Sequence, residues 1–376
     1  MEAGNVEALT VRVDLSAIRG NLAAVRALAG DRIVMACIKG NAYGHGLVPV
    51  ARCLEAAGVP WLTLGSPGEA LALREAGITT PILLFPTIAG FDLKRHVGAG
   101  ITIGVQSAAE AAALAPQAAA PVSVFLKIDA GFGRVGAPLP VAASEAREIA
   151  RLPSVTLAGL FTHLPFFSEE SVAWVQERLK AFGEVAGTIQ GDAGRRLVVQ
   201  ALASTGLASG LDAPSTNAVC PGSLLYGVQP TWTSASGQHI DVAGLRPALV
   251  EVTSIVGSLR TIAAGERFGP GGARSAARAT RLGVMPLGFS NSILVRKPGQ
   301  RVGIAGRSAP VLSVSLEHTV IDVTDATPIA EGATVHLLSR DGAVGPTLED
   351  IARAQDRATV EILVALTGKA AYAYVS

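Results

Sequence analysis

The chain has 376 residues, of which 49% are hydrophobic and 16% charged, a composition that excludes a disordered protein and allows one large barrel or two ordinary domains. Its 31 basic and 30 acidic residues give a net charge of +1, which favours neither nucleic acid nor a membrane surface as a partner. Three cysteines are too few for a disulfide framework, and neither a signal peptide nor an apolar run of transmembrane length occurs. These features predict a cytoplasmic protein.

Short apolar runs alternate with helical stretches over the first two hundred residues. Between most runs, Ala, Leu, Glu and Arg recur with helical periodicity, as in GLVPVARCLEAAG and SPGEALALREAG. The runs are apolar throughout rather than alternating, which is typical of parallel strands covered on both faces. Eight such strands are predicted, at 33–39, 61–66, 81–85, 101–105, 123–129, 157–163, 197–203 and 218–226.

The number of strands indicates the architecture. Eight strands, each next to a helix, predict a (β/α)8 barrel of the TIM type, while a doubly wound open sheet built from the same elements stays open as an alternative. The longest helical stretch covers 168–190, with Ser168 as its predicted N-cap. The predicted fold class is therefore α/β, a barrel followed by a mostly β C-terminal domain.

The pattern changes after Gly227, where helical periodicity fades and short β-rich runs separated by glycine turns follow. The stretch TSASGQ at 233–238 is the best candidate for a domain boundary. We therefore predict a barrel domain over 1–236 and a β-rich domain over 237–376. A first strand is predicted near residues 10–15, and the sequence leaves open whether it packs with the C-terminal domain.

Side chains with chemical function gather where the predicted strands end, which is where barrels of this kind have their active sites. The first strand ends at Lys39, the fifth leads to Arg134, the sixth ends at His163 and the seventh at Ser204; the eighth opens into CPGS at 220–223. No acidic cluster lies among them. No histidine pair has metal-ligand spacing either, so we predict no metal site.

Lys39 is the candidate nucleophile of this rim. Lysine amines form Schiff bases with carbonyl substrates and with pyridoxal phosphate, and a buried Lys39 beside anion-binding groups would suit that chemistry. The hydroxyls and backbone N–H groups that a phosphate needs are available at Tyr43, Ser204, Gly222 and Ser223. Taken alone, a lysine at a strand end is as readily a solvated surface residue.

The segment IKGNAYGHG, which contains Lys39, closely resembles the cofactor-lysine motif of alanine racemases, a family of fold type III pyridoxal-phosphate enzymes. The similarity is highly specific because it extends over nearly the whole chain in the order the family has. Further matching segments are LKIDAGFGRVG at 126–136, LFTH at 160–163, PGSLLYG at 221–227, RPAL at 246–249, MPLGF at 285–289 and LEHTVIDVT at 316–324.

The resemblance implies pyridoxal 5'-phosphate as cofactor and a small amino acid as substrate. It implies that Lys39 holds the cofactor as an aldimine and acts as a base on one face of the substrate. The cofactor phosphate is then bound by the side chains of Tyr43 and Ser204, with help from the backbone of Gly222 and Ser223. It also implies a head-to-tail homodimer in which the partner's β domain completes each site.

Three further basic residues acquire roles from the same resemblance. His163 is expected near the cofactor ring. Arg134 is expected to bond the ring hydroxyl and to orient the carboxylate of the substrate. Lys127 matches a position that is carbamylated in some members of the family and that helps to hold this arginine.

The sequence departs from the family pattern at four positions. The family has a tyrosine base from the partner subunit in a G-Y-A-D-G motif, where this chain has Phe289. It has an arginine at the pyridine nitrogen, where this chain has Cys220. A methionine whose backbone amide contacts substrate matches Leu316, and a phosphate-binding tyrosine near the C-terminus matches Val360.

Phenylalanine cannot transfer a proton, so one face of the substrate loses its base. We therefore expect stereospecific chemistry with Lys39 as principal base rather than ordinary alanine racemisation. A thiol at Cys220 restricts the cofactor ring less than an arginine does, and a thiolate would favour a longer-lived carbanion. Aldol-type chemistry at a β-hydroxy amino acid fits, with His163 or His318 handling the hydroxyl proton; transamination or decarboxylation fits nearly as well.

Two alternatives stay open. One is an amino-acid racemase with a replacement base, for which His318 is the best candidate because it follows Leu316 in a predicted strand and histidine has a suitable pKa. Tyr226 is a weaker candidate, since in PGSLLYG it is expected to pack. The other alternative is a non-catalytic protein that binds pyridoxal phosphate or amino acids.

Overall fold

The computed structural model describes residues 8–117, 121–166, 168–230, 240–326, 328–366 and 370–376. The chain divides into two compact units. The barrel unit comprises 17–43 and 47–246, and the β unit comprises the residues up to Ser16 together with 44–46 and 247–376. The predicted boundary after residue 236 lies in 231–239, outside the described residues.

Eight parallel strands close the sheet of the barrel unit, which confirms the (β/α)8 prediction and excludes the open sheet. The last strand pairs with the first, Ala218 opposite Ile33 and Val219 opposite Val34. A two-residue strand, Ala137–Pro138, pairs outside this circle with the end of the fifth. The eight strands are Ile33–Cys37, Trp61–Leu64, Ile82–Leu84, Thr102–Val105, Val122–Asp129, Val155–Phe161, Val198–Leu202 and Ala218–Val219.

Helices follow most of these strands, and several begin where the sequence supplies a polar cap. The side chains of Ser66, Asp92 and Ser107 each accept a hydrogen bond from a backbone N–H in the first turn of their helix. The α-helices of this region are Leu15–Ala29, Leu47–Ala56, Pro67–Glu75, Leu93–Gly98, Ala108–Leu114, Leu139–Arg151, Val172–Ala193 and Ser204–Ala208.

The predicted N-cap of the longest helix is wrong. Ser168 precedes a short 3-10 turn, Glu169–Ser171, and makes no side-chain capping bond; its hydroxyl instead lies 3.0 Å from that of Ser171. The α-helix begins only at Val172. It ends where Gly194 adopts a left-handed conformation (φ 61°), which a glycine tolerates without steric penalty.

Three predicted strands run one or two residues too far, and this changes where the candidate residues lie. The strands end at Cys37, Phe161 and Leu202, so Lys39, His163 and Ser204 each follow a strand in the connecting segment. Of the intervening residues, Ile38 is buried and apolar, Thr162 is buried, and Ala203 is half-buried. A residue such as Ile38 therefore extends the apolar run of the sequence without extending the hydrogen-bonded ladder.

The β unit contains a nine-stranded sheet, which is antiparallel except for one pair. That pair joins Thr10–Asp14 in parallel to Ala371–Val375, so residues near both ends of the chain share one sheet. The described part of the β unit also contains two helices, Leu348–Gln355 and Thr359–Val364, and a separate hairpin of Arg267–Phe268 with Arg274–Ser275. In spatial order the strands are Ser258–Ile262, Thr280–Met285, Thr319–Asp322, Arg307–Val314, Arg301–Ile304, Thr334–Ser339, Leu249–Ile255, Thr10–Asp14 and Ala371–Val375.

No helix among the described residues is both long and apolar enough to cross a membrane.

Candidate active site at the mouth of the barrel

The turn that follows the first barrel strand has an unusual backbone. Lys39 is exposed, which corrects the expectation of a buried lysine, and Gly40 follows it with φ 64°. Asn41, Ala42 and Tyr43 continue in the left-handed region with φ between 52° and 54°. A non-glycine residue held there costs about 1–3 kcal/mol, so neighbouring groups must stabilise the turn.

Hydrogen bonds from two directions hold this turn. The N–H of Asn41 donates to Glu69 Oε1 at 2.6 Å, and the Asn41 side-chain oxygen accepts the N–H of Leu47 at 2.8 Å. The ring of Tyr43 stacks on that of Tyr226 with 4.9 Å between centroids. Sequence reasoning missed Glu69; its position in the first turn of a helix that starts beside a strand end was the available indication.

Tyr43 and Ser204 converge on the glycine loop after the eighth strand. Ser204 Oγ accepts the N–H of Gly222 at 2.9 Å and that of Leu224 at 3.4 Å. Because this oxygen is the acceptor in both bonds, its own hydrogen can be donated to a bound anion. A Cβ on Gly222 would overlap the hydroxyl of Tyr43, so only glycine allows this close approach.

Positive charge dominates the electrostatics of the mouth. Burial, reinforced by the charge of Arg134 and opposed by that of Asp129, lowers the pKa of Lys127 to about 8. Burial lowers the pKa of His163 to about 3, and the charges of Lys39, Lys127 and Arg134 act in the same direction. His163 is therefore neutral at physiological pH and a poor proton acceptor, which weakens its predicted role as a base.

A carboxylate shapes the loop that carries Arg134. Asp129 accepts the backbone N–H groups of Gly131, Gly133 and Arg134 at 2.9, 3.2 and 3.0 Å. Burial raises the pKa of this carboxyl, but the N–H groups outweigh that effect and the net pKa is lowered. The Arg134 guanidinium lies over the ring of Phe132, 4.5 Å from its centroid, and the residue is exposed. An anionic ligand can therefore reach it.

Cys220 belongs to a small polar cluster at the base of the mouth. Its Sγ lies 3.2 Å from Thr63 Oγ1. A hydrogen bond with Cys220 is the largest cause that lowers the pKa of Cys37, to about 6, while burial opposes it. The same contact and burial raise the pKa of Cys220 well above its ordinary value, so the pair keeps its proton on Cys220.

Tyr226 is buried and donates its hydroxyl to the carbonyl oxygen of Cys37 at 3.1 Å. Burial also raises its pKa well above the ordinary value. Both observations agree with a packing residue, and they argue against Tyr226 as a replacement base.

The remaining candidate residues belong to the β unit. Phe289 is 39% exposed, and the guanidinium of Arg296 lies 4.7 Å from its ring centroid. His318 is exposed in the turn that ends at the strand Thr319–Asp322, so its predicted position within a strand is wrong; its carbonyl oxygen accepts the N–H of Ser315 at 2.8 Å. Leu316 is exposed in the same turn, and Val360 lies in the helix Thr359–Val364.

The geometry defines a general class of protein. A closed (β/α)8 barrel presents an exposed lysine, further cations and a hydroxyl-lined glycine loop at the ends of its strands. Within the described parts of the chain, no group of three or more His, Cys, Asp or Glu side chains could hold a metal ion. The arrangement is that of a barrel enzyme that binds an anionic ligand beside a lysine amine.

Comparison with known proteins identifies the family. The model of the alanine racemase N-terminal domain matches residues 13–230, and that of the alanine racemase C-terminal domain matches 249–374. Proteins named alanine racemase from Salinispora tropica and Beutenbergia cavernae are each 33% identical, over 94% of this chain and 94% of their own length. The chain belongs to the alanine racemase family, whose enzymes use pyridoxal 5'-phosphate.

Solved structures agree with this assignment. Alanine racemase from D-cycloserine-producing Streptomyces lavendulae superposes with a TM-score of 0.87 at 26% identity, covering 99% of this chain and 97% of that one. The enzyme from Streptomyces coelicolor gives a TM-score of 0.86 at 26% identity, covering 98% of both chains.

Proposed function

We propose that this chain is a pyridoxal-phosphate enzyme that acts at the Cα of a small amino acid bound beside Lys39. The residues present fit the cofactor. Lys39 is exposed, the hydroxyls of Tyr43 and Ser204 lie against the loop at Gly222, and His163 is neutral. Tyr43, Ser204 and the backbone of Gly222 and Ser223 would hold the phosphate. When bound, pyridoxal phosphate withdraws electrons from Cα and so makes its proton acidic.

The chain's own residues would bind and orient the substrate and move its proton. The exposed guanidinium of Arg134 would bind the carboxylate, because its planar fork matches that anion. Lys39 Nζ would remove the Cα proton from one face. The neutral ring of His163 would pack against the cofactor without competing for the proton. A neutral Lys127 amine can react with carbon dioxide, so its carbamylation stays a prediction that intact-protein mass spectrometry tests.

We infer that proton transfer is confined to one face of the substrate. The single observation that carries this proposal is the phenyl ring of Phe289 at the position that matches the family's tyrosine base. Each general base contributes about 10²–10⁴-fold to a rate, and a phenyl ring contributes nothing of this kind. Aldol-type cleavage or addition at a β-hydroxy amino acid suits such a site, as do transamination and decarboxylation.

The thiol of Cys220 also supports chemistry other than ordinary racemisation. A thiol at Cys220, whose Sγ lies within hydrogen-bond distance of Thr63 Oγ1, carries no fixed positive charge, whereas an arginine would. Cys220 would therefore leave the ring of a bound cofactor without a cationic neighbour at this position, and such a ring withdraws electrons from Cα more strongly.

Racemisation of an amino acid is the second candidate. It is favoured by relatives named alanine racemase at 33% identity and by the exposed imidazole of His318, which would serve as the second base. A protein that only binds the cofactor would have no use for Arg134, Lys127 and His163 together, so we place it last.

We also propose a head-to-tail homodimer in which the partner's β unit completes the mouth of each barrel. Two exposed apolar side chains of the β unit, Phe289 and Leu316, are candidates for burial in such a contact. Light scattering on the purified protein should give twice the chain mass. A measured mass equal to that of one chain at micromolar concentration would contradict this arrangement.

A panel of D- and L-amino acids, including β-hydroxy ones, tests the reaction. Each is incubated with the holoenzyme in deuterated water and then analysed by chiral chromatography and mass spectrometry. One-face chemistry predicts deuterium at Cα with retention of configuration, and cleavage of a β-hydroxy substrate identifies the aldol type. Rapid interconversion of L- and D-alanine would instead establish the racemase. The Lys39→Ala variant is the control and should exchange nothing.

A further inference from the structure

Trp174 is an aromatic side chain in the first turn of the helix Val172–Ala193, and 47% of it is exposed. Its ring lies against Gly131, in the loop that carries Arg134. We propose that Trp174 is a positioning residue, which fixes this loop and so holds the guanidinium of Arg134 in place for the carboxylate of the substrate. The part that concerns the substrate rests on the proposed function.

The contact between this helix and the loop is close. A Cβ added to Gly131 would lie 3.1 Å from Cζ2 and 3.3 Å from Cη2 of the Trp174 ring, and 3.0 Å from Cδ of Arg178. Trp174 and Arg178 are four residues apart, so they lie next to one another on the same face of the helix. Gly131 also has a φ of 136°, which side chains rarely tolerate. A glycine at this position therefore allows the backbone of the loop to approach both side chains.

The loop needs support from other elements because its own sequence is conformationally permissive. It contains Gly131, Gly133 and Gly136, each with a positive φ. Glycine loses more conformational freedom on folding than any other residue, so ordering a loop of this composition costs more free energy. The carboxylate of Asp129 shapes the loop by accepting three of its N–H groups. Asp129 is, however, the last residue of the strand that leads into the loop, so these bonds do not connect the loop to another element.

Contacts with other elements hold the loop near both of its ends. Gln106, the residue after the fourth barrel strand, accepts the N–H of Gly136 through its Oε1 at 3.0 Å. Near the other end, the ring of Trp174 packs against Gly131. Arg134 lies between these two points. Loss of the Trp174 contact should therefore let the backbone of Arg134 move, although Gln106 still holds the far end.

Phe132 connects the packing at Gly131 to the guanidinium of Arg134. The guanidinium lies 4.5 Å from the centroid of the Phe132 ring, and this ring meets the imidazole of His163 edge-on at 6.0 Å between centroids. Because Phe132 follows Gly131 directly, a shift of Gly131 also moves the ring on which the guanidinium lies. A guanidinium that is placed in advance loses less conformational freedom when it binds an anion, so the anion binds more tightly.

Hydrogen–deuterium exchange of the holoenzyme tests the contact without any turnover. Trp174→Ala should raise the exchange rates of the N–H groups of 131–134 about tenfold, because the loop opens more often. Trp174→Phe keeps an aromatic ring at this position and should restore most of the protection. Lys180→Ala is the control, since Lys180 is exposed on the same helix, and it should leave exchange in the loop unchanged. Loop exchange that is equally slow in Trp174→Ala and in the unmodified chain overturns the proposal.

Steady-state kinetics on the amino acid that the holoenzyme turns over supply a second measurement. Trp174→Ala should raise KM about three- to tenfold and leave kcat within about twofold, because Arg134 binds the carboxylate equally in the ground state and the transition state. A purely structural role would lower the urea midpoint without separating KM from kcat, and a fall in kcat at constant KM contradicts the positioning role. If the unmodified protein turns over no amino acid, the proposed function fails, while the exchange rates still decide whether Trp174 fixes the loop.

Discussion

Glu69 is a positioning residue for the turn that carries Lys39 and Tyr43. Its carboxylate accepts the N–H of Asn41 at 2.6 Å in a segment that is otherwise strained. Removing the acceptor in Glu69→Ala should weaken cofactor binding about tenfold, the equivalent of about 1.4 kcal/mol for a half-buried hydrogen bond to a charged group. Fluorescence titration with pyridoxal phosphate measures the change.

The matched control is Glu69→Gln, which keeps a carbonyl oxygen for the Asn41 N–H and should retain most of the affinity. If Glu69→Ala binds the cofactor as tightly as the unmodified chain, Glu69 does not position the turn.

Phe289 decides between the two candidate reactions. On the proposal that Phe289 occupies the place of the family's second base, Phe289→Tyr supplies the missing hydroxyl and should raise alanine racemisation, by at most about 10²–10⁴-fold. Polarimetry or chiral chromatography of D-alanine measures this rate. Phe289→Leu is the control and should leave racemisation at the level of the unmodified chain. An unmodified chain that already racemises alanine rapidly, with no gain from Phe289→Tyr, would contradict the one-face mechanism.

Lys127 should make folding stability depend on pH. Its folded-state pKa, about 8, lies below the ordinary value of 10.5, so between these pH values the unfolded chain binds more protons than the folded chain. The burial penalty is therefore present in full below pH 8 and is relieved as pH rises towards 10.5. We expect the unmodified protein to gain about 3 kcal/mol relative to Lys127→Met across this window, measured by urea unfolding at a series of pH values. A constant difference would show that Lys127 titrates normally.

At the scale of elements, apolar runs were sufficient to predict all eight barrel strands. A parallel strand buried on both faces is apolar at nearly every position, so it can be recognised as a continuous run. The runs could not give the strand ends, since an apolar residue such as Ile38 stays buried after the ladder stops. The left-handed turn could not be predicted either. Only Asn41 among its non-glycine residues has any preference for that conformation. Hydrogen bonds with Leu47, six residues on, and with Glu69, 28 residues on, stabilise it.

The same reasoning limits prediction of the candidate site. Lys39, Arg134, His163 and Ser204 could be placed at the mouth because each follows a strand end. The proton distribution between Cys37 and Cys220 could not be read from the sequence, since it depends on two strands that become neighbours only when the barrel closes.

Gly159 is required by the packing of two barrel strands. A Cβ at this position would overlap the ring of Phe125, whose Cδ1 lies 2.7 Å away, and the carbonyl oxygen of Val198. Phe125 is fully buried and packs edge-on against Trp61, so its ring cannot easily move. We expect Gly159→Ala to destabilise the barrel by about 1–3 kcal/mol through overpacking.

Gly20→Ala is the matched control, because Gly20 is exposed in a helix and has open space around it. It should be neutral or stabilising by about 0.5–1 kcal/mol. Urea unfolding followed by circular dichroism measures both variants, and equal midpoints for the two would show that the crowding at Gly159 is relieved without cost.

At the scale of the whole molecule, the chain returns at its end to a sheet that it entered near its beginning. Thr10–Asp14 lies between Leu249–Ile255 and Ala371–Val375, with antiparallel pairing on one side and parallel pairing on the other. Composition indicated a β-rich second half. The segment near residue 10 could be assigned to it only as an open alternative, because alternating burial in a single short strand does not reveal its partner.

This arrangement predicts that the last strand stabilises the first. Deleting residues 371–376 would leave the N–H and C=O groups of Thr10–Asp14 unpaired along one edge, at about 1 kcal/mol for each of a few hydrogen bonds. We expect a lower urea midpoint for the β unit and faster proteolysis near residue 10. Deleting Ser376 alone, which lies beyond the strand, should change neither. Proteolysis near residue 10 that is unaffected by the longer deletion would mean that the edge strand is held by its antiparallel neighbour alone.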